Sequence, residues 1–191
     1  MFVFVEVNGC MWYTDRKKGV CAVKHLYLIG GTMGVGKTTA CRALQRKLEY
    51  SVFLDGDWCW DMHPFVVNDE TKAMVMENIA FLLQQYLKCS VFEHAIFCWV
   101  MHEQSIIDDL LSRLDLAGIV VHPISLVCSR ETLQQRLQKD IEAGLRQPDI
   151  LMRSTARIPL YESLKTCKIC TDDLTADAVA EKIMEVCANG I

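Results

Sequence analysis

Residues 31–38 read GTMGVGKT, and these eight letters decide how the chain folds. They complete the pattern G-x-x-x-x-G-K-[ST]. An apolar run, HLYLI (25–29), precedes them, and a helical pattern over 37–49 follows, with Ala40, Ala43, Leu44 and Leu48 on one side. In that strand–loop–helix context the pattern has a physical meaning. Glycines let successive backbone N–H groups point into one concavity, and the helix N-terminus adds partial positive charge, so the loop binds phosphates. Gly31, Thr32, Met33, Gly34, Val35, Gly36, Lys37, Thr38 and Thr39 are therefore candidate nucleotide-binding residues. Lys37 has the reach for the β- and γ-phosphates. The Thr38 hydroxyl suits Mg²⁺, a hard cation that prefers oxygen ligands.

Outward from the loop, apolar runs alternate with helical patterns. Strands are expected at 25–29, at 51–55 (SVFLD), within 90–101 (SVFEHAIFCWVM), at 118–128 (GIVVHPISLVC) and around 167–171. Helices are expected at 37–49, 68–88, 104–116, 129–142 and 175–187, with Asn68 and Ser129 as N-caps. Alternation of this kind predicts an α/β fold: a parallel sheet with helices on both faces. Pro123, inside the fourth strand, argues for a break, a bulge or an edge position. Residues 1–23 stand apart as an N-terminal extension, with a possible hairpin turning at Asn8-Gly9. Residues 24–191 form the main domain.

Composition sets the class. With 191 residues, 51% of them hydrophobic and 23% charged, the chain is in the globular range and long enough for one sizeable core. A net charge of −4 gives no reason to expect nucleic acid or an anionic membrane as partner. No apolar run approaches the roughly 18 residues of a membrane span. Met1–Trp12 lacks the basic start and cleavage site of a signal peptide, so the expected setting is cytoplasmic. The ten cysteines then read as reduced and mostly buried. Cys167 and Cys170 form one C-x-x-C, but in a strand the two would point to opposite faces, which speaks against a metal or redox pair.

A phosphate loop alone serves switches, motors, ATPases and kinases. No N-K-x-D motif is present to read a guanine base, and the third strand ends in FCWVM without the carboxylate of a Walker-B strand. The second strand runs instead into LDGDWCWDMHP (54–64). If the strand persists, Asp55 and Asp57 point to one side at its C-terminal end, where ligands bind in parallel sheets. Asp57 is assigned as general base or as anchor of an acceptor hydroxyl. Asp55 is assigned as a magnesium ligand acting through water, or as a group that orients the loop, and the roles can be exchanged on sequence alone. Trp58, Trp60 and Trp99 are candidate walls of an acceptor pocket, with core packing the duller account of each. Glu103, after the third strand, is either a second carboxylate for magnesium water or a helix-start glutamate.

The stretch 129–157 gathers arginines. Arg136 lies beside the Leu133, Leu137 and Ile141 stripe, Arg146 precedes a Gln-Pro break, and Arg153 and Arg157 share a helix face. A mobile cation that closes over the transferring phosphate is what a lid supplies, with Arg146 first and Arg153 second.

A phosphate loop, D-x-D after the second strand and an Arg-bearing late segment together resemble small phosphotransferases of the nucleoside monophosphate kinase fold. Arg157–Glu162 (RIPLYE) with Thr171-Asp172-Asp173 is similar to the end of shikimate kinases, and LDGD with His63-Pro64 resembles gluconate and adenylylsulfate kinases. The resemblance covers roughly residues 24–188. It implies a three-layer P-loop NTPase fold with five parallel strands, a small helical lid over about 140–157, ATP and Mg²⁺ as cofactors, Arg136 against the adenine and Arg157 gripping the acceptor. Two departures separate the chain from shikimate kinases: AIFCWVM (95–101) replaces a glycine triplet, and DETKAMVMEN (69–78) lacks the F-R-x-x-E segment. Residues 55–104 are also poor in cations, with Lys72 the one near the second strand. The expected reaction is therefore Mg-dependent transfer from ATP to a hydroxyl of a neutral or weakly charged small molecule, a sugar, nucleoside or antibiotic-like compound, by a monomer or homodimer. A nucleoside monophosphate kinase and a non-kinase ATPase or nucleotide-gated regulator are the alternatives.

Overall fold

The computed structural model describes residues 3–7, 10–14 and 23–188. Strands β1 (Val3–Val7) and β2 (Cys10–Thr14) pair antiparallel, with Val7 opposite Cys10. The Asn8-Gly9 turn itself lies outside the described residues. The main sheet starts with β3 (Lys24–Gly30), followed by helix α1 (Lys37–Lys47), β4 (Ser51–Asp55), α2 (Asp69–Lys88), β5 (His94–Cys98), α3 (Gln104–Ser112), β6 (Ile119–Val127), α4 (Arg130–Glu142), α5 (Ile150–Arg157), β7 (Cys167–Cys170) and α6 (Ala176–Ala188). Its five strands are ordered β4-β5-β3-β6-β7 and all pair in parallel.

Strand β3 is buried on both faces because its side chains alternate between two cores. Tyr27 and Ile29 pack with α1, α4 and α6 through Leu44, Leu137 and Ile183. Leu26 and Leu28 pack with α2 and α3 through Ile79, Leu83 and Leu110. The result is three layers. Near-continuous apolar strands suit a sheet covered on both sides. Helix ends follow local chemistry. The Asn68 side chain accepts from the Thr71 N–H while the Thr71 hydroxyl accepts from the Asn68 N–H, a reciprocal capping box. Ser129 accepts from the Thr132 N–H at the start of α4.

Two expectations change and a third narrows. Pro123 neither breaks nor bulges β6, which runs unbroken from Ile119 to Val127, and the edge position is the alternative that holds. It pairs in register with Leu28 on one side, while β7 begins only opposite Ile124, so Pro123 sits where β6 is still an edge on the other side. Of the eight cysteines whose side chains are described, all free, only Cys41, Cys98 and Cys128 are buried. Strand β4 ends at Asp55 and gives way to a 3-10 turn over Gly56–Trp60, so the pleat does not carry Asp57.

On α2, Leu83 is wholly buried against the sheet, whereas Phe81, two residues earlier, is 63% exposed. Leu83→Ala is expected to cost about 2–5 kcal/mol, by lost burial and the cavity left behind. Phe81→Ala is expected to stay within about 0.5 kcal/mol. Denaturant titration of the two variants checks the contrast.

Candidate active site

The phosphate loop is shaped by what packs beneath it. Gly34 has φ +86°, and a Cβ there would meet Leu137 Cδ2 at 2.6 Å, so only glycine lets α4 come so close. Thr32 donates its hydroxyl to the Ser154 carbonyl at 2.9 Å, tying the loop to α5. Lys37 Nζ donates to the Thr32 carbonyl at 3.0 Å, folding the ammonium back over the loop. Burial pushes the Lys37 pKa down, opposed chiefly by the neighbouring Cys98, Asp57 and Asp55. An anionic phosphate above the loop would add to the counter-charge of the two aspartates.

A cavity of about 440 Å³ opens above the loop. Met33, Gly34, Val35, Gly36, Lys37, Thr38 and Thr39 line it; Gly31 and the buried Thr32 do not. At its far side Arg136 donates to the Val35 carbonyl at 3.1 Å and to the Thr171 carbonyl at 2.8 Å and hydroxyl at 3.0 Å. These bonds take three of the guanidinium's five in-plane donors and fix its plane, and a guanidinium face held this way can stack on a base. Arg146 lines the same cavity, held by its Nε to Asp140 Oδ2 at 2.9 Å. It stands in the exposed arch 143–149 between α4 and α5.

The two aspartates divide the work by position. Asp55, only 6% exposed, accepts from the Thr38 hydroxyl at 2.7 Å through Oδ2, and from the Asp57 N–H at 3.1 Å through Oδ1. That second bond caps the 3-10 turn and ends the strand. A hydroxyl and a buried carboxylate this close, beside the phosphate cavity, are hard oxygen donors of the kind Mg²⁺ takes, so the residues fit the ion. Asp57 projects from the turn into the cleft. Its pKa is raised, first by loss of water around it and then by the Asp55 charge, against the pull of Lys37 and Arg146. The Trp99 side chain donates to its carboxylate. A Cβ on Gly56 would meet Trp99 Cγ at 2.6 Å, so the glycine is what lets the indole lie under the turn.

A second cavity, of about 660 Å³, is lined by Asp57, Trp58, Trp60, Asp61, Phe65 and Val67. Asp57 lines both cavities. Trp58 and Trp60 thus wall a cleft, while Trp99 positions Asp57 from outside it. The role of Trp99 together with Gly56 is absent from the sequence reading; its only signal there is a glycine between two aspartates.

Other candidates lie elsewhere. Arg153 pairs with Asp149 at 2.9 Å on the surface and lines neither cavity, because its face of α5 turns to solvent. Arg157 approaches Met33 Sδ at 3.6 Å, beside the loop and not in the aromatic cavity. Glu103 is the exposed N-cap of α3 and faces His102 at 3.6 Å, so the helix-start account holds the geometry. Lys72 pairs with Asp69 at 3.4 Å. Lys88, the other cation in 55–104, closes α2, about 28 Å from its start at 1.5 Å per residue.

Comparison with known proteins places this architecture. The structure is similar to the tunicamycin resistance protein of Deinococcus radiodurans, with a TM-score of 0.64, 22% identity and coverage of 88% of this chain and 96% of that one. It is similar to a gluconokinase from Sinorhizobium meliloti 1021, with TM-score 0.62, 16% identity and coverage of 87% and 95%. It is also similar to shikimate kinase from Acinetobacter baumannii, solved with shikimate, with TM-score 0.58, 22% identity and coverage of 90% and 97%. At these identities the likeness establishes the fold, that of small P-loop kinases. No curated protein matches the sequence. No helix of the described residues is long and apolar enough to cross a membrane. A family model described as an AAA domain matches residues 28–149, from the phosphate-loop strand through the arginine-bearing arch, and the chain belongs to that family.

Proposed function

We propose that the protein is a kinase that moves the γ-phosphate of ATP to a hydroxyl of a small, neutral or weakly charged molecule, with Mg²⁺. The observation that carries this reading is the position of Asp57, shared by the phosphate cavity and the aromatic one. A carboxylate at that junction reaches a hydroxyl presented from one side to a phosphate held on the other. Its raised pKa strengthens it as a base. The acceptor O–H proton passes to Asp57, the acceptor oxygen forms a bond to the γ-phosphorus, the bond from that phosphorus to the β-γ bridging oxygen breaks, and ADP leaves. Lys37 and the loop amides hold the phosphates, and Arg146 stabilises charge on the transferring group. Thr38 and Asp55 would hold magnesium, which when bound neutralises phosphate oxygens.

The fold neighbours support a sugar or antibiotic-like acceptor, since one is described as a gluconokinase and one as a tunicamycin resistance protein. A nucleoside monophosphate acceptor fits less well. Its phosphate needs cations, and the aromatic cavity is lined by two carboxylates and no cation. A non-kinase ATPase leaves a second cavity at the base without a use.

The test is ADP release with ATP, Mg²⁺ and a pool of sugars, nucleosides and antibiotics; release that never depends on any acceptor would overturn the reading. Lys37→Ala is expected to abolish turnover nearly completely. Asp57→Asn is expected to lower kcat by about 10²–10⁴-fold with ATP affinity little changed. Arg146→Ala is expected to slow transfer while leaving the melting temperature within about 1 °C, because the pair it loses is a surface one. Steady-state kinetics and thermal melts check all three.

Asp57 also sets a pH signature. Its folded pKa is raised, so its contribution to stability is full below the ordinary carboxylate pKa near ~4 and is lost as pH rises through the folded value. Asp57→Asn, which carries no charge, is expected to melt higher than the parent at neutral pH. The difference is expected to close as pH falls below that range, read by melts across pH.

A further inference from the structure

The aromatic cavity carries information on the acceptor beyond its lack of cations. Trp58, Phe65 and Val67 are 49%, 67% and 56% exposed, a concentration of bare apolar surface in one cleft. The rings of Trp60 and Phe65 lie 6.0 Å apart and tilted at 51°, presenting faces at an angle instead of stacking on each other. Exposed apolar surface in a concave site marks a ligand that covers it.

Charge in the cavity is unequally balanced. The Asp57 carboxylate feels Lys37 and Arg146 from the phosphate side, and Trp99 donates to it. The Asp61 carboxylate, four residues on, makes no ion pair or side-chain hydrogen bond with any described residue. Arg42 sits near, with its guanidinium 4.6 Å from the Phe53 ring centroid and 5.3 Å from that of Trp58, but it takes no part in the lining. One uncompensated carboxylate therefore faces a cleft walled by three aromatic rings. Ring faces are negative and attract a cation at short range. Carboxylate and rings favour the same ligand charge, and both disfavour an anion.

We propose that the acceptor is an amino alcohol with an apolar or aromatic body, its ammonium held by Asp61 and the faces of Trp58, Trp60 and Phe65, and its hydroxyl turned to Asp57. This rests on the kinase reading for the fate of the hydroxyl, but the recognition of charge is independent of transfer. Asp61 is a binding residue here and takes no proton from the reacting oxygen.

Three probes share one carbon skeleton and carry a cationic, a neutral or an anionic group at its end: 2-amino-1-phenylethanol, mandelamide and mandelate. Their binding is read by quenching of tryptophan fluorescence with Mg²⁺ and a non-hydrolysable ATP analogue present. The expected order is cation, then neutral amide, then anion, with the cation bound at least ~tenfold more tightly than the anion. In Asp61→Asn that advantage is expected to collapse to about twofold or less, while binding of the neutral amide is unchanged. Asp61 is exposed and unpaired, so the variant folds as the parent does. Mandelate binding as tightly as the cation, a cation advantage that survives in Asp61→Asn, or no quenching by the cation would each overturn the inference. Binding in the expected order without any acceptor-dependent ADP release would leave the inference standing and sink the kinase reading instead.

Discussion

The Thr38 hydroxyl and the Asp55 carboxylate meet at 2.7 Å, and the geometry of the site hangs on that bond. It joins the first residues of α1 to the last residue of β4, although β5 lies between β4 and β3 in the sheet. The same carboxylate turns its other oxygen to the Asp57 N–H, which ends the strand and starts the turn that carries Asp57 into the cleft. One buried side chain thus fixes the phosphate loop, the expected metal position and the direction of the candidate base.

A second constraint is steric. Gly34 admits Leu137 and so brings α4, with Arg136 and the arginine-bearing arch, over the nucleotide cavity. Gly56 admits Trp99 and so seats the indole against Asp57. Two missing β-carbons let the surrounding elements close on one place. Electrostatics follows from the packing. Removing water raises the Asp57 pKa and lowers that of Lys37, the directions that suit a proton acceptor and a lysine awaiting an anionic partner.

Much of this architecture is legible in the letters, for a physical reason. HLYLI and SVFLD are continuous apolar runs because their strands are covered on both faces, and Asn68 and Ser129 announce helices because their caps are local hydrogen bonds. What the letters hide depends on contacts made at a distance. Nothing between Asp55 and Asp57 shows that the strand stops; the stop is made when the Asp55 carboxylate takes the Asp57 N–H, and the turn that follows packs on Trp99, more than forty residues on. Arg153 looks equivalent to Arg146 in a list of arginines. Only the packing of α5, docked through Ser154 onto Thr32, shows which of the two lines the cavity above the loop. Pro123 is legible too: of the break, bulge or edge position that a proline implies, the edge holds, because β7 is four residues long and starts beyond it.

The central claim is that one carboxylate, Asp57, serves two cavities at once. A crystal structure with Mg²⁺, a non-hydrolysable ATP analogue and a phosphorylatable acceptor tests it most directly. An Asp57 oxygen is expected within about 2.6–3.2 Å of the acceptor hydroxyl, with that hydroxyl in line with the γ-phosphorus and its bridging oxygen. An acceptor hydroxyl out of reach of Asp57, or an Asp57 carboxylate bound directly to the metal with the acceptor elsewhere, would contradict it.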